Sequence, residues 1–136
     1  MRVALVGFPS GDIESLQTHL RNLAKGLESS GHMVDTIDQR SDARISAYDF
    51  VVVLSEPVGI GAKLPSRIPE FLSGAGTVAG KRAMAVLKKK GFMSGKALAR
   101  LMGMLEAEGM VVTAGEIVSK PEESLAAARG APVARY

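Results

Sequence analysis

YDFVVVL, at residues 48–54, is the stretch of this chain that decides its fold. Its β-branched and aromatic side chains favour an extended strand. An apolar run without alternating polar residues is typical of a strand that is buried on both faces, as in a parallel sheet. We therefore expect residues 50–54 to form the central strand of a parallel sheet.

Four other apolar runs read as strands, at residues 2–7, 33–37, 83–87 and 110–113, the last with room to extend to Val118. Amphipathic segments alternate with these runs. One carries apolar residues at helical spacing from Ile13 to Leu27, and others follow Pro65, Ser94 and Pro121. Strand–helix alternation predicts a parallel α/β sheet with helices on both faces.

The ends of the predicted helices carry ordinary helix signals. Ser10 or Asp12 is expected to cap the first helix and Ser94 the third, because short polar side chains satisfy free backbone N–H groups. Glycines at Gly31 and Gly109 are expected to end the first and third helices.

Composition is typical of one globular domain over residues 1–136, with 46% hydrophobic and 23% charged residues. Cysteine is absent, which excludes disulfide and thiolate chemistry and favours a cytoplasmic setting. No apolar run approaches the roughly 20 residues that span a bilayer, and no signal-peptide pattern is present, so no membrane partner is expected. Residues 131–136 are expected to form a loose tail.

Nucleic acid is not an expected partner either. The net charge of +3 is modest, and only 4% of the residues are aromatic, which leaves few side chains for base stacking. The two histidines, His19 and His32, are expected on the surface. No cluster has metal-ligand spacing, so no metal site and no Ser-His-Asp set is predicted.

Three loops rich in Gly, Pro, Ser or Lys follow predicted strands, at residues 8–12, 55–61 and 88–96. The ligands of open parallel sheets bind outside the carboxyl ends of the strands, where the winding order reverses. The three loops are therefore predicted to form one binding edge.

Each loop admits two interpretations. The first is either a helix cap with a tight turn or an anion-binding loop at a helix N-terminus. The second is either a plain connection or a place where glycine lets a planar ligand approach the backbone, with Glu56 as a polar contact. The third is either a solvated lysine-rich strand end or an anion site beside Phe92, which is either a stacking residue or a core or lid residue.

The order of these strands and loops resembles the flavodoxin-like family across almost the whole chain. Residues 3–11 look like its first strand running into a phosphate loop, and residues 48–57 look like its third strand followed by Ser-x-Pro. Residues 95–112 look like its fourth helix and fifth strand. The resemblance implies a flavodoxin-like three-layer α/β/α sandwich whose five-stranded parallel sheet has the order 2-1-3-4-5.

The resemblance also implies a cofactor, FMN, and electron or hydride transfer in which the flavin does the chemistry and no residue of the chain is catalytic. The phosphate would lie at the first loop and the ring between the second and third loops. The implied cofactor-binding residues are Ser10, Gly11, Asp12, Ile13, Pro57, Val58, Gly59, Gly61, Lys90, Gly91, Phe92, Ser94 and Gly95.

The first loop departs from the hydroxyl-rich phosphate loop of the family. Phe8 and Ile13 stand at hydroxyl positions, Pro9 lacks an N–H, and Asp12 brings a like charge toward a phosphate. Val58 stands where the family usually has a stacking aromatic residue. Two hypotheses follow: a small FMN-binding redox protein, or a flavin-free relative that binds another anion or a protein partner at the same edge. A redox or other protein partner is left unidentified, and apolar helix faces leave a homodimer open.

Overall fold

A parallel sheet organises the computed structural model, which describes residues 1–133. Its strands are β1 (Arg2–Phe8), β2 (Met33–Ile37), β3 (Phe50–Ser55), β4 (Arg82–Lys88) and β5 (Val111–Val118). Their order is β2-β1-β3-β4-β5, and every neighbouring pair is parallel. The predicted fold is confirmed: β3 is buried along its whole length and lies at the centre of the sheet.

Three helices connect strands, α1 (Glu14–Ser29), α2 (Arg67–Ser73) and α3 (Ser94–Ala107), and a fourth, α4 (Pro121–Arg129), follows β5. A short 3₁₀ turn, Ile45–Ala47, is the only helical structure in the polar stretch before β3. The predicted caps are wrong in detail. Ile13 and Met93 hold the N-cap positions of α1 and α3 without a side-chain hydrogen bond. Asp12 contributes only a 3.3 Å acceptor for the Glu14 N–H.

Alternate side chains of β3 enter two separate cores. Val51 and Val53 pack with the buried faces of α2 and α3, whereas Val52 and Leu54 pack with α1 and the end of α4. Successive side chains of a strand point to opposite faces, so one apolar strand supplies both layers. The three-layer α/β/α arrangement predicted from the resemblance is confirmed. No helix within residues 1–133 is long and apolar enough to cross a membrane.

Helix α4 packs directly on α1, and this contact corrects the surface placement of His19. The imidazole is 4% exposed, and its Nδ1 lies 2.6 Å from the Ser124 hydroxyl of α4. Burial, followed by the positive charge of Lys88, lowers the pKa of His19. The sequence shows the main apolar stripe of α1 but not the second face that α4 covers.

The chain after α4 returns to the sheet, so the expected loose tail is wrong for residues 131–133. Val133 is 1% exposed and belongs to the α1 side of the core, and the Arg82 guanidinium donates to its carbonyl oxygen. Residues 134–136 of the expected tail lie outside the described part of the chain.

Candidate functional site

The loops that follow β1, β3 and β4 leave the same edge of the sheet and contact one another. Lys90 Nζ of the third loop donates to Ser10 Oγ of the first loop at 3.0 Å. Gly91 lies against the second loop, where a Cβ atom added to it would come within 3.4 Å of the Ile60 carbonyl oxygen. The structure therefore places the three loops together as the sequence predicted. We call this surface the loop edge.

The pairing of β1 with β3 places residue 56 beside the first loop. Phe8 is the partner of Ser55 in the ladder, and Ser55 Oγ donates to the Phe8 carbonyl oxygen at 2.8 Å. The next residue of each strand leaves the sheet at the same level. Glu56 consequently enters the turn that carries Ser10.

The Glu56 carboxylate is held inside the loop edge by donors of the first loop and α1. The side chain is 3% exposed, and its Oε2 accepts the Ser10 N–H at 3.0 Å and the Ser15 hydroxyl at 2.5 Å. Lys88 Nζ lies 3.9 Å from Oε1 and donates to the Ser15 carbonyl at 2.8 Å. We call the Ser10 N–H, the Ser15 hydroxyl and the Lys88 ammonium the cradle.

The electrostatics of the cradle keep Glu56 ionised at neutral pH. Burial by itself raises the pKa of a carboxyl, because a charged group loses its hydration. At Glu56 the hydrogen bonds from Ser15 and Ser10 and the charge of Lys88 outweigh burial and hold the pKa below its ordinary value. The cradle thus binds an anion that belongs to the chain itself.

The outer part of the loop edge is apolar and basic. Ile60 is 86% exposed, Phe92 is 97% exposed and Met93 is 39% exposed. The exposed lysines of the third loop are Lys89, Lys90 and Lys96, and Lys63 is exposed just after the second loop. We call Ile60, Phe92 and Met93 the apolar tip. Phe92 is therefore free to contact a ligand or a partner and does not fill the core.

The remaining predicted residues do not form one pocket. Gly11, Asp12 and Ile13 line a cavity of about 430 Å³ on the β2 side of β1, together with Thr36, Asp38 and Arg40. No residue of the second or third loop lines that cavity. The Asp38 carboxylate within it is paired with Arg40 at 3.2 Å.

The second and third loops hold the other predicted residues. Pro57 is buried, Val58 is half-buried, and Gly59 lies in the exposed turn before Ile60. Gly59 has φ 72° and Gly91 has φ 75°, a conformation in which other residues are strained. The other two predicted positions of these loops are Gly61 and Gly95, and an added Cβ at either would meet open space.

Ser94 was predicted as a cap of α3 and as part of a possible anion site, and it lies at the start of α3 but is not its N-cap. The residue is 7% exposed, and its Oγ makes no hydrogen bond within residues 1–133. Its neighbour Gly95 remains exposed at the helix start.

The arrangement of the first loop does not fit the phosphate of FMN. The Ser10 N–H and the Ser15 hydroxyl are two of the donors at this helix start, and both are directed at Glu56. A phosphate beside the Glu56 carboxylate would place like charges together without water between them. Gly91 of the third loop lies close to the Ile60 backbone of the second loop, so the two loops approach each other where the flavin ring was expected.

Sequence reasoning identified Glu56 only as one possible polar contact and did not identify Ser15. A carboxylate after an apolar strand has no distinctive pattern, and a serine in a first helical turn is common. Lys88 was noted as part of a lysine run and not as the half-buried member of that run. In the described part of the chain, no three His, Cys, Asp or Glu side chains converge on a metal-sized position.

Comparison with known proteins gives structural matches only. No protein-family profile matches the chain, and no curated protein sequence matches it. A two-electron reduced flavodoxin from Megasphaera elsdenii superposes with a TM-score of 0.74 at 16% identity, over 95% of this chain and 99% of that one. Flavodoxin 2 from Bacillus cereus superposes with a TM-score of 0.68 at 15% identity, over 96% of this chain and 94% of that one. A flavone reductase gives 0.68 at 12% identity, over 96% of this chain and 60% of its own. By strand order, layers and these superpositions, the chain has a flavodoxin-like fold.

Proposed function

We propose that this chain is a flavin-free flavodoxin-like protein that binds an acidic protein partner through its loop edge. The observation that carries the proposal is the division of that edge. Its polar interior is satisfied by Glu56, whereas its apolar tip is exposed to solvent.

The cradle supports the flavin-free part of this proposal. An incoming phosphate would have to displace a carboxylate that holds two hydrogen bonds and faces an ammonium group. Hydrogen bonds to charged groups contribute about 1.5–3 kcal/mol each, so displacement is costly. Asp12, exposed at the start of the same helix, adds a second negative charge.

The apolar tip supports the partner-binding part. Exposed apolar patches mark interaction sites, and the tip carries three large apolar side chains on two neighbouring loops. Aromatic side chains such as Phe92 bury a large area at low conformational cost when they enter a pocket. The lysines around the tip favour a partner with acidic residues around that pocket, because opposite charges steer association.

An FMN-dependent electron carrier is the second candidate function. The likeness to a flavodoxin and to a flavone reductase favours it. It requires the Glu56 carboxylate to leave the Ser10 N–H, which would make flavin binding weaker than an open phosphate loop gives.

Two measurements test these functions. The absorption spectrum of freshly purified protein and a calorimetric titration with FMN are expected to show no bound flavin and no heat of binding at high micromolar FMN. A flavin spectrum, or saturable FMN binding, would establish the second candidate and overturn the first.

Partner binding is tested by placing a photo-crosslinking phenylalanine analogue at residue 92 in cells. We expect one dominant adduct that disappears when Lys89 and Lys90 are both changed to Glu. The same analogue at Val111, an exposed strand residue away from the loop edge, is the matched control. An identical adduct from residue 111, or no adduct from residue 92, would contradict partner docking.

A further inference from the structure

We propose that Glu56 is the specificity-determining residue of the loop edge: its carboxylate is an internal anion that excludes phosphate monoesters from the cradle. This inference rests on the proposed function and goes beyond it by assigning the exclusion to one side chain. It predicts that removal of this carboxylate creates a phosphate site in the existing fold.

The donors of the cradle have the character of a phosphate site. A backbone N–H before a helix, a hydroxyl of the first helical turn and an ammonium group all converge on one carboxylate. Lys90 adds a second ammonium group, which donates to Ser10 Oγ. Helix starts and lysine side chains are the groups that usually bind phosphates in proteins.

The backbone holds these donors in place without help from Glu56. Ser15 belongs to the first turn of α1, where its Oγ also contacts the Asp12 carbonyl at 3.0 Å. Ser55 Oγ fixes the end of β3 to the Phe8 carbonyl at 2.8 Å. Truncation at residue 56 therefore removes the anion and leaves the Ser10 N–H and Lys88 beside the vacated place, while the single Ser15 hydroxyl hydrogen can turn to the Asp12 carbonyl until an anion binds.

The test compares wild type with Glu56→Ala in thermal unfolding, with inorganic phosphate added against chloride at matched ionic strength. Without phosphate, Glu56→Ala is expected to unfold at a lower temperature, because the Ser10 N–H loses its acceptor and Lys88 loses its counter-charge. Phosphate at ten times its dissociation constant should raise that midpoint by about 5 °C, whereas wild type should shift by less than about 1 °C. Titration should give a dissociation constant at least about tenfold lower for the variant than for wild type.

Three probes identify the group that is recognised. Inorganic phosphate and FMN should both bind Glu56→Ala more tightly than wild type, and riboflavin, which lacks the phosphate, should show no gain. Glu28→Ala, at the exposed far end of α1, changes the net charge equally and should bind no better than wild type.

Glu56→Ser serves as a second variant, since its short side chain also vacates the cradle. The inference is overturned if neither variant gains phosphate affinity, if riboflavin gains as much as FMN, or if neither variant folds even with phosphate present. Tight FMN binding by wild type would overturn both the flavin-free function and the exclusion, whereas a wild type that binds no FMN and variants that gain no phosphate affinity would overturn the exclusion alone, so the two failures are distinguishable.

Discussion

At the scale of single residues, the charged side chains of the loop edge differ in how far they are buried. Lys88, Lys89 and Lys90 follow one another in sequence but have different environments. Lys88 lies against Glu56 with its side chain 27% exposed, whereas Lys89 and Lys90 are exposed. A run of like charges at a strand end therefore contains one structural lysine and two surface lysines.

Lys88→Met tests this difference. Loss of the ammonium group leaves the Glu56 carboxylate with two hydrogen bonds but no counter-charge, so we expect the free energy of unfolding to fall by about 1–2 kcal/mol. Lys89→Met is the matched control and should stay within about 0.5 kcal/mol of wild type. Urea unfolding at pH 7 measures both variants. Equal effects of the two substitutions would contradict a structural role for Lys88.

At the scale of elements, α1 packs directly on α4. A Cβ atom added to Gly26 would lie 2.6 Å from Ala128 Cβ and 2.8 Å from the Leu125 carbonyl oxygen. Glycine is needed there because α4 occupies the space of a side chain. The same contact buries His19 against Ser124.

Gly26→Ala is expected to lower the free energy of unfolding by about 1–3 kcal/mol, because the overpacking outweighs the better helix propensity of alanine. Gly103 in α3 is the matched control, since an added Cβ there meets nothing within 4 Å. Gly103→Ala should raise the free energy of unfolding by about 0.5–1 kcal/mol. Opposite signs in chemical denaturation are the expected result, and a stabilised Gly26→Ala would show that α4 does not pack as described.

The burial of His19 predicts a pH dependence of stability. Burial, and then the charge of Lys88, lowers its pKa below the ordinary value of 6.5. The unfolded chain then binds more protons below pH 6.5, so the free energy of unfolding falls as the pH decreases through that value. Protonation of Glu56 lowers the free energy of unfolding only at more acidic pH, below about 4.5, since its pKa in the folded chain lies below that ordinary value.

His19→Asn should reduce the slope of unfolding free energy against pH between pH 7 and pH 5. Burial also lowers the pKa of His32, so part of the slope should remain in the variant. Denaturant unfolding at several pH values measures the difference. An unchanged slope in the variant would show that His19 is not titrating from a buried neutral state.

At the scale of the whole molecule, the sequence predicted what periodicity controls and missed what tertiary contacts control. The apolar run at residues 50–54 predicted the buried central strand, and the alternation of elements predicted the parallel sheet with one edge of loops. Contacts between distant segments left no local pattern. His19 is buried only because α4 covers α1, and Val133 only because the chain returns to the sheet.

The candidate site divides in the same way. The meeting of the three loops was predictable, because the carboxyl ends of parallel strands lie at the same edge of a sheet. The role of Glu56 depends on the register that pairs Phe8 with Ser55, which brings residue 56 into the turn at Ser10. Register is set by the whole sheet, so this contact was not predictable from the loop sequences alone.

The oligomeric state depends on how much apolar surface the whole molecule leaves exposed. The sequence left a homodimer open through apolar helix faces, but in the structure those faces fill the two cores. At the loop edge, Ile60, Phe92 and Met93 are too few to supply the roughly 1,000 Å² of a stable interface. Among the other exposed large apolar side chains, Met33 on β2 and Val111 and Ile117 on β5 lie at opposite margins of the sheet. Two copies meeting at the apolar tip would also bring their lysines together.

We therefore expect a monomer of 14.3 kDa in sedimentation equilibrium at low salt, with a dimer dissociation constant above about 1 mM. High salt should weaken the repulsion between lysines and permit some association, and Phe92→Asp should remove that association. A dimer at low salt that persists in Phe92→Asp would place the self-interaction outside the loop edge. In that case the apolar tip would not be the dimer contact, and the loop edge of each copy would still be available for an acidic partner.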